Sequence, residues 1–393
     1  MDVIRFGVIG FGIQGRLYSA ILSGRTGEFY PHISKDVRKP QNCKLCAIYD
    51  RSEDKCDEIK SIYPDAETFT DWKELITSGT CDAIVITVPH YMHHEVTIYA
   101  LEHGIHVLCE KPADVRASDV EEMIAVPEKH PQLSFALMLN QRTNTAFARV
   151  KELISSGQMG ELRRFNWLVT NWYRPDSYYK SSPWRGTYRG EGGGILVNQT
   201  PHQLDLWGWF CGTPKTLYAV CLEGMHRDIT VENDVTIVTT YENGATGSFI
   251  SCTHDPLGTD RLEMDFSGGK IVVEDSSRAA VYRFRDEESV MNDKYTFQDY
   301  PRILRENPDE IYTVEEFSDT TIFGMNYVLM FENFASNVLD GTPLIASGRE
   351  ALLAVQLANA AQLSSGLGKQ LDFPCDTGLY DAWLQEKICL ENK

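Results

Sequence analysis

Residues 4–15 read IRFGVIGFGIQG, and the architecture of the N-terminal part of the chain follows from them. The run Ile4–Ile9 is apolar and partly β-branched, which predicts a buried strand. It ends in a G-x-G-x-x-G pattern that opens a helical stretch. In this setting the first glycine permits a tight turn, the second lets the backbone approach a pyrophosphate, and the third allows close packing of helix on strand. We therefore predict a phosphate-binding turn at the start of a dinucleotide-binding domain.

The turn and the end of the second predicted strand together define a cofactor site. The turn residues are Gly10, Phe11, Gly12, Ile13, Gln14 and Gly15. A carboxylate at Asp50 accepts hydrogen bonds from an adenosine ribose and repels a 2′-phosphate, which favours NAD. Arg51 can instead pair with a phosphate, so NADP stays possible. Asp50 lies 35 positions after Gly15, where about 20 is typical, and residues 24–42 are interpreted as an insertion.

Up to about residue 140, short apolar runs alternate with helical patterns. The predicted strands are Ile4–Ile9, Lys44–Tyr49, Ala83–Thr87, His106–Cys109 and Leu133–Leu139, and the helices between them include Met92–His103 and Ala117–Lys129. This alternation predicts an α/β fold with a parallel, doubly wound sheet. We assign residues 1–140 to a Rossmann domain that binds NAD(P).

After residue 215 the pattern changes to strands at hairpin spacing. These are Thr216–Leu222, Asp234–Tyr241, Thr246–Cys252, Arg261–Phe266 and Lys270–Glu274. Glu242-Asn243-Gly244 is a strong hairpin-turn signal. We predict an open, mainly antiparallel sheet in an α+β domain over residues 141–393. Residues 276–325 are polar without clear periodicity and receive no assignment, and helical patterning returns over Tyr327–Leu367.

Composition narrows the class of ligand and the compartment. A net charge of −19 disfavours nucleic acid and anionic membrane surfaces, since both bind clustered Lys and Arg. No run approaches the roughly 20 apolar residues of a membrane span, and the N-terminus does not resemble a signal peptide. The ten scattered cysteines favour a reducing cytoplasm. We expect a small-molecule ligand.

Four motifs resemble those of the Gfo/Idh/MocA oxidoreductases, a family that includes glucose–fructose oxidoreductase and inositol dehydrogenases. They are GVIGFGIQG at 7–15, CDAIVITVPHYMHH at 81–94, GIHVLCEKPADV at 104–115 and GEGGGILVNQTPHQLDLWGWFCG at 190–212. The resemblance extends to GREALLAVQLANAAQLSSG at 348–366. It implies a Rossmann domain followed by a substrate-binding domain whose open sheet packs in an oligomer, a homodimer or a homotetramer.

The resemblance also implies residues beside the nicotinamide. Glu110 and Lys111 follow a predicted strand, at the sheet edge where such folds bind ligands. Lys111 is implied to bond the reacting hydroxyl, where its ammonium stabilises negative charge on that oxygen. The groups implied to border the cofactor are Thr87, Pro89 and His93. The histidine-rich run 90–94 also invites a metal, but it lacks a distant ligand with suitable spacing, so cofactor contact is favoured.

The motif at 190–212 is implied to carry the general base, His202, whose side chain has a pKa near neutrality. Many family members place an aspartate four residues earlier, whereas this chain has Asn198, which cannot raise the basicity of the histidine by charge. The expected roles in managing the proton and positioning the substrate therefore fall more on Lys111 and on Asp205, which lies on the same helical face as His202. Asp205 orients the imidazole, bonds a substrate hydroxyl, or serves only as a first-turn aspartate.

Two features of this region stay open. Thr200-Pro201-His202-Gln203 is typical of a capping box with proline at N1, but a helix that begins near Gly194 would also align Asn198 with His202. Aromatic faces and guanidinium groups commonly hold ring substrates. The candidates for such contacts are Trp184 and Arg185, with Trp172-Tyr173-Arg174 earlier in the chain.

The expected function is hydride transfer between NAD(P) and a secondary hydroxyl of a sugar, a sugar derivative or a cyclitol. The cofactor handles the hydride, so the protein must handle the hydroxyl proton and the geometry. Lys111 and His202 are the expected catalytic residues. The alternatives are an enzyme that cleaves glycosides or epimerises sugars with a recycled bound cofactor, and a non-catalytic dinucleotide-binding sensor.

Overall fold

Strands and helices alternate through the N-terminal third of the chain. The computed structural model describes residues 3–30, 33 and 36–391. The strands of this part are β1 (Ile4–Ile9), β2 (Cys43–Tyr49), β3 (Glu67–Phe69), β4 (Ala83–Ile86), β5 (His106–Cys109) and β6 (Phe135–Leu137). The helices are α1 (Ile13–Ser23), α2 (Thr26–Phe29), α3 (Glu53–Ile62), α4 (Trp72–Thr77), α5 (His93–Glu102) and α6 (Ala117–Lys129). Within the predicted insertion 24–42 the structure places α2, while residues 31, 32, 34 and 35 lie outside the described part.

The six strands form one parallel sheet in the order β3-β2-β1-β4-β5-β6. This is the doubly wound order. Strands are added on one side of β1 up to β3 and on its other side from β4 onward, and this switch leaves a crevice at the carboxyl ends of β1 and β4. All four residues of β4 are buried, as expected for a strand covered by helices on both faces. The predicted parallel α/β sheet is confirmed.

The second half of the chain builds a larger sheet. Its strands are β7 (Leu162–Val169), β8 (Thr216–Glu223), β9 (Glu232–Thr240), β10 (Thr246–Cys252), β11 (Asp260–Phe266), β12 (Gly269–Glu274), β13 (Arg278–Phe284), β14 (Tyr312–Ser318) and β15 (Leu371–Asp372). Their order is β14-β13-β12-β11-β7-β10-β9-β8-β15. Only the β7–β10 pair is parallel among the pairs described, so the predicted, mainly antiparallel sheet is confirmed.

Helices cover one face of this sheet and connect the two sheets. They are α7 (Thr145–Ser155), α8 (Asp176–Tyr179), α9 (Tyr188–Glu191), α10 (Ile195–Asn198), α11 (Pro201–Cys211), α12 (Glu288–Lys294), α13 (Asp299–Glu306), α14 (Met325–Asp340), α15 (Gly348–Leu367) and α16 (Thr377–Leu390). Short 3₁₀ turns lie at His90–Met92, Asn140–Thr143 and Pro308–Glu310. None of the helices in the described part of the chain is long and apolar enough to cross a membrane.

The unassigned region 276–325 extends the sheet at one edge. It contributes β13 and β14, with α12 and α13 between them. The face of these strands that packs toward α7 carries charges among its apolar residues: Glu315 on β14 is level with the buried Val281 and pairs with Arg283 on β13 at 2.8 Å. Charged side chains are a common device on edge strands. They also mask the alternation of apolar and polar residues from which strands are predicted, so this part of the sheet was missed.

The C-terminal helices return to the first sheet. Phe331 on α14 packs edge-on against Phe6 of β1, with ring centroids 5.3 Å apart, and against Tyr18 of α1 at 5.4 Å. Helix α15 reaches both hydrophobic cores, because Val355 is buried in the first and Ala361 in the second. The predicted domain boundary near residue 140 stays a prediction, and the first core contains residues from beyond it.

Candidate active site

The glycine turn has the geometry of a cradle. Gly10 has φ +103°, a conformation that favours glycine. A Cβ atom at Gly15 would lie 1.8 Å from the Gly10 carbonyl oxygen, so α1 packs closely on the turn. A Cβ at Gly12 would meet no atom within 4 Å, and no side chain caps the helix that begins after it. Open space before an uncapped helix N-terminus fits a dinucleotide pyrophosphate.

Asp50 stands beside this turn at the end of β2. Its Oδ2 accepts a hydrogen bond from the Phe11 backbone N–H at 3.1 Å, and its Oδ1 accepts from Ser52 N at 3.0 Å. Lys55 Nζ lies 3.0 Å from Oδ2. The Asp50 carboxylate therefore holds the glycine turn through the Phe11 N–H. The Lys55 ammonium lies beside this carboxylate, whose negative charge would repel a 2′-phosphate. Arg51 is exposed next to it, and ribose binding by Asp50 stays a prediction.

Other predicted cofactor contacts are Thr87 and Pro89, which follow β4, and the buried His93. Thr87 donates to the carbonyls of Ile9 and Gly10 at 3.1 and 2.8 Å, and Pro89 is exposed where β4 ends. His93 is buried, with its Nδ1 2.9 Å from the Pro112 carbonyl oxygen. Its Nε2 lies 2.9 Å from another backbone carbonyl, that of Val88.

With both ring nitrogens on backbone carbonyls, His93 ties the loop after β4 to the loop after β5. This geometry favours a positioning role over the predicted cofactor contact. In the part of the chain that is described, no group of three or more His, Cys, Asp or Glu side chains is placed to hold a metal ion.

Glu110 lies behind Lys111 rather than beside it in the crevice. Its carboxylate is buried and accepts hydrogen bonds from the Tyr18 hydroxyl and, at 3.0 Å, from the Lys111 backbone N–H. Burial raises the pKa of Glu110. The residue therefore anchors the strand end on α1 and supplies negative charge near the ammonium, which is a different role from the predicted cofactor contact.

Lys111 reaches from the end of β5 to the glycine-rich motif of the second domain. Its Nζ donates to the Asn198 backbone carbonyl at 2.8 Å. Burial, with the charges of Arg185 and Arg174, lowers the pKa of Lys111, whereas the charges of Glu110 and Glu191 raise it. The structure thus brings Lys111 and Asn198 together across the interface between the domains.

A carboxylate that the sequence analysis missed stands beside Asn198. Glu191 is buried, and its Oε1 accepts a hydrogen bond from the Asn198 side-chain amide. Its Oε2 accepts from Gly186 N at 2.7 Å, and Arg185 Nη1 lies 3.7 Å from Oε1. Because one N–H of the amide donates to Glu191, the side-chain oxygen and the second N–H are left for other groups. Glu191 directly precedes the glycine run, but only the folded chain reveals the contact.

His202 is half-buried at the start of α11, and its Nδ1 has no hydrogen-bond partner. Burial and the neighbouring charge of Lys111 lower the pKa of His202 to about 3. The imidazole is therefore neutral near pH 7 and is able to accept a proton. Within the described residues, no carboxylate is hydrogen-bonded to this imidazole.

Asp205 forms a buried ion pair with Arg142. Its two carboxylate oxygens accept hydrogen bonds from Arg142 Nε and Nη2 at 2.9 and 2.7 Å, and both side chains are buried. Arg142 Nη1 also donates to Glu350 at 2.7 Å. A bidentate pair of this kind uses the face of the carboxylate that would otherwise bind a ligand. In the structure this contact joins α11 to the turn after β6, and the expected roles of Asp205 in binding substrate and in orienting His202 stay predictions.

The helix start resolves into two helices. Residues Ile195–Asn198 form α10, and α11 begins separately with Pro201 at its first position. The Thr200 hydroxyl donates to the Ile195 carbonyl at 2.9 Å and does not cap α11. The proline start was therefore predicted correctly and the capping box was not.

We call residues 172–185 the aromatic wall. They lie beside α10 and the start of α11, which carry Asn198 and His202 and which we call the floor of the site. Trp184 packs against His90 of the first domain with ring centroids 5.5 Å apart. Arg185 Nη1 donates to the Tyr178 hydroxyl at 2.6 Å, and the same hydroxyl accepts from Gln199 Nε2 at 3.0 Å. The Tyr178 hydroxyl thus links Arg185 to Gln199, the neighbour of Asn198, and substrate contact by Trp184 and Arg185 stays a prediction. Tyr178 and Gln199 were missed.

Glu232 supports the glycine run from below. It is fully buried, and its Oε1 accepts hydrogen bonds from Gly194 N at 2.9 Å and Leu196 N at 3.3 Å. Gln362 Nε2 donates to its Oε2 at 3.2 Å. Burial raises the pKa of Glu232 to about 7. The carboxyl group therefore holds the first turn of α10 in place.

Comparison with known proteins identifies the family. The profile of an oxidoreductase family with an NAD-binding Rossmann fold matches residues 4–136, and that of the GFO/IDH/MocA C-terminal domain matches residues 147–272. This chain belongs to the Gfo/Idh/MocA oxidoreductases. It is accordingly an NAD(P)-dependent oxidoreductase, and the open cradle at Gly12 fits that cofactor.

Several members of the Gfo/Idh/MocA family match over most of their length. Scyllo-inositol 2-dehydrogenase (NADP(+)) of Bacillus subtilis is 24% identical over 93% of this chain and 94% of its own length. Myo-inositol 2-dehydrogenase of Thermotoga maritima is 24% identical over 92% and 96%. The WlbA dehydrogenase of Bordetella pertussis, solved with NADH and UDP-GlcNAcA, aligns at a TM-score of 0.76 with 22% identity, over 95% of this chain and 99% of that one.

Replacing Asp205 tests its structural assignment. Asp205→Asn leaves the buried Arg142 with Glu350 as its remaining carboxylate partner, so we expect the free energy of unfolding in urea to fall by about 3 kcal/mol. Turnover of the folded protein should change less than about 10-fold, since the carboxylate is not at the reacting centre. Full stability with a loss of turnover above that range would return Asp205 to the substrate site.

Glu232→Gln should flatten the pH dependence of stability. Burial raises the pKa of Glu232 from 4.5 to about 7, so its contribution is full below pH 4.5 and is lost as pH rises through 7. Glutamine keeps an acceptor for Gly194 N–H but cannot ionise. Between pH 5 and 8, the wild type should lose about 2 kcal/mol more than the variant in urea unfolding. Parallel curves for the two proteins, or equal flattening by the exposed control Glu121→Gln, would contradict this assignment.

Proposed function

We propose that this protein transfers hydride between NAD(P) and a secondary hydroxyl of a sugar, a sugar derivative or a cyclitol. The observation that carries the proposal is the convergence of Lys111 with Asn198, at 2.8 Å, and with His202, whose pKa the ammonium lowers. These groups meet where β5 ends, in the crevice shared with the glycine turn. The relatives named as inositol dehydrogenases and a levoglucosan dehydrogenase support this substrate class.

When bound, the nicotinamide accepts or donates the hydride. The ammonium of Lys111 donates a hydrogen bond to the reacting hydroxyl and stabilises negative charge that develops on its oxygen. The proton of that hydroxyl passes to the neutral imidazole of His202. Developing negative charge beside the imidazole raises its pKa, so the histidine becomes a stronger base as the oxygen loses its proton.

Asn198 and its neighbours hold substrate in position. Glu191 accepts from the Asn198 amide, which leaves the side-chain oxygen of Asn198 to accept from a ring hydroxyl. Trp184 and Arg185 provide an apolar face and a donor for the ring. A charged relay to His202 is not part of this mechanism.

The experiment that tests the proposal is a spectrophotometric screen with NAD and NADP against pyranoses, sugar acids and inositols. We expect absorbance of the reduced cofactor to appear with at least one ring polyol. His202→Ala should lower turnover by about 10²–10⁴-fold while cofactor affinity stays unchanged, because the base is lost and the cradle is not.

The matched control for this variant is His130→Ala, which removes an exposed histidine at the end of α6. It should retain full turnover. Unchanged turnover in His202→Ala would remove His202 from the mechanism. A screen without any reduced cofactor, on protein that binds NAD measurably, would contradict net oxidation and point to a recycled cofactor or a sensor.

The open face of the second sheet leads us to infer a homo-oligomer, a homodimer or a homotetramer. Large apolar side chains share this face across β7, β8, β9 and β10, where Tyr218 pairs with Val238 and Ile250 pairs with Leu168. The exposed members are Leu168, Tyr218, Val220, Leu222, Val238 and Ile250. Contiguous exposed apolar surface of this kind marks an interface. A second copy of the chain is the occupant we propose.

Val238→Lys should lower the oligomer mass measured by light scattering after size-exclusion chromatography, because it puts a charge into the apolar face. Val238 is 47% exposed, so the monomer should stay folded. The matched control is Val290→Lys on α12, at 48% exposure. Equal masses for the two variants would contradict the proposed interface.

The cysteines support a proposal about the compartment. All ten lie in the described part of the chain as free thiols, and Cys43, Cys46, Cys56, Cys81, Cys109 and Cys252 are buried. Unpaired thiols are typical of reducing compartments. We infer that the protein works in the cytoplasm.

A further inference from the structure

The aromatic wall also carries two arginine side chains that stack on its rings. The Arg174 guanidinium lies 5.3 Å from the ring centroid of Trp172 and 5.0 Å from that of Tyr178. Arg185 lies 4.4 Å from the Tyr178 ring and 4.5 Å from that of Trp184. Stacking holds a guanidinium plane in a fixed orientation. The two arginines are therefore positioned before a ligand arrives.

Both guanidinium groups act on the reacting centre. Arg174 and Arg185 each lower the pKa of Lys111 through their charge, so the three cations are neighbours. Lys111 has the carboxylate of Glu110 close by, and Arg185 has Glu191 at 3.7 Å. In the described part of the chain, Arg174 pairs with no carboxylate. The site thus carries one positive charge in excess, in a chain whose net charge is −19.

The wall also contains buried donors that lack acceptors. They are Arg174 Nε, Arg185 Nε and Trp172 Nε1. Indole and guanidinium N–H groups donate and never accept. A neutral hydroxyl satisfies such groups only in part, because it brings a donor of its own. A ligand group that accepts hydrogen bonds and carries negative charge satisfies donors of this kind and neutralises Arg174 as well.

We propose that the substrate is a sugar acid, a ring polyol with a carboxylate, and that Arg174 and Arg185 bind this carboxylate. Lys111 and His202 act on a hydroxyl elsewhere on the same ring. One excess charge matches a carboxylate monoanion, whereas a phosphate ester brings about two negative charges at neutral pH. This inference rests on the proposed hydride transfer and narrows its substrate class.

The test compares acids with their neutral parents. Glucuronate and galacturonate are paired with glucose and galactose, and glucose 6-phosphate represents the phosphate esters. Binding to the NADH-loaded protein is measured by calorimetry, and kcat/KM is measured with NAD and NADP. We expect the acids to be favoured by about 10–100-fold over the neutral sugars, as for a hydrogen-bonded charge pair.

Variants at Arg174 separate charge from packing. Arg174→Met keeps an apolar stem between the Trp172 and Tyr178 rings and should remove most of the preference for acids, mainly through affinity and KM. Arg174→Lys restores the charge without the planar fork and should fall between the two. The control Arg302→Met makes the same change of net charge on the exposed helix α13 and should keep the full preference.

The outcomes distinguish this inference from the proposed function. Equal binding of acids and neutral sugars, no binding of either, or a preference that survives Arg174→Met would overturn the inference. A stronger preference for glucose 6-phosphate would overturn the choice of a carboxylate. Acids that bind through Arg174 without reducing any cofactor would uphold the inference and overturn hydride transfer. Neutral sugars oxidised by the wild type as efficiently as the acids would do the reverse.

Discussion

The hydrogen bond on which the chemistry of the site most depends crosses between its two halves. Lys111 Nζ, at the end of a strand of the first sheet, donates to the main-chain carbonyl of Asn198 in the second domain. The crevice and the floor that carries His202 are thereby held at one separation. Helix α15 supports that separation because it is buried in both cores. Chemistry at this interface therefore depends on a rigid connection between the domains.

The architecture was largely predictable from the sequence because buried elements leave strong patterns. β1 and α6 have the predicted bounds, and the strand order of the first sheet follows from the glycine turn and the alternation after it. Strand β7, in the middle of the second sheet, was not predicted. Two other failures lie where burial is partial. β14 is an edge strand whose helix-facing side carries the charged Glu315, and none of the three residues of β3 is buried.

The sequence indicated candidate residues for the site but not the contacts that these residues make. Helical spacing put Asp205 on the same face of α11 as His202. Its carboxylate is nevertheless bound by Arg142, which lies 63 positions away in the sequence. Position 198 carries an amide instead of the aspartate of many family members, and Glu191 of the preceding helix places a carboxylate beside it. Periodicity fixes which face a side chain occupies, whereas a long-range partner decides what the side chain can do there.

The glycine run has a consequence for how such a site evolves. A Cβ at Gly194 would lie 1.8 Å from the Glu232 carbonyl oxygen, and one at Gly193 would lie 2.3 Å from Gln362 Nε2. These positions are closed to other amino acids whatever the substrate, because the obstacle is the protein's own interior. The aromatic wall, at residues 172–185, includes side chains that are exposed, such as Tyr173. New specificities can therefore arise by replacing residues of the wall, while the glycines stay fixed by the interior behind them.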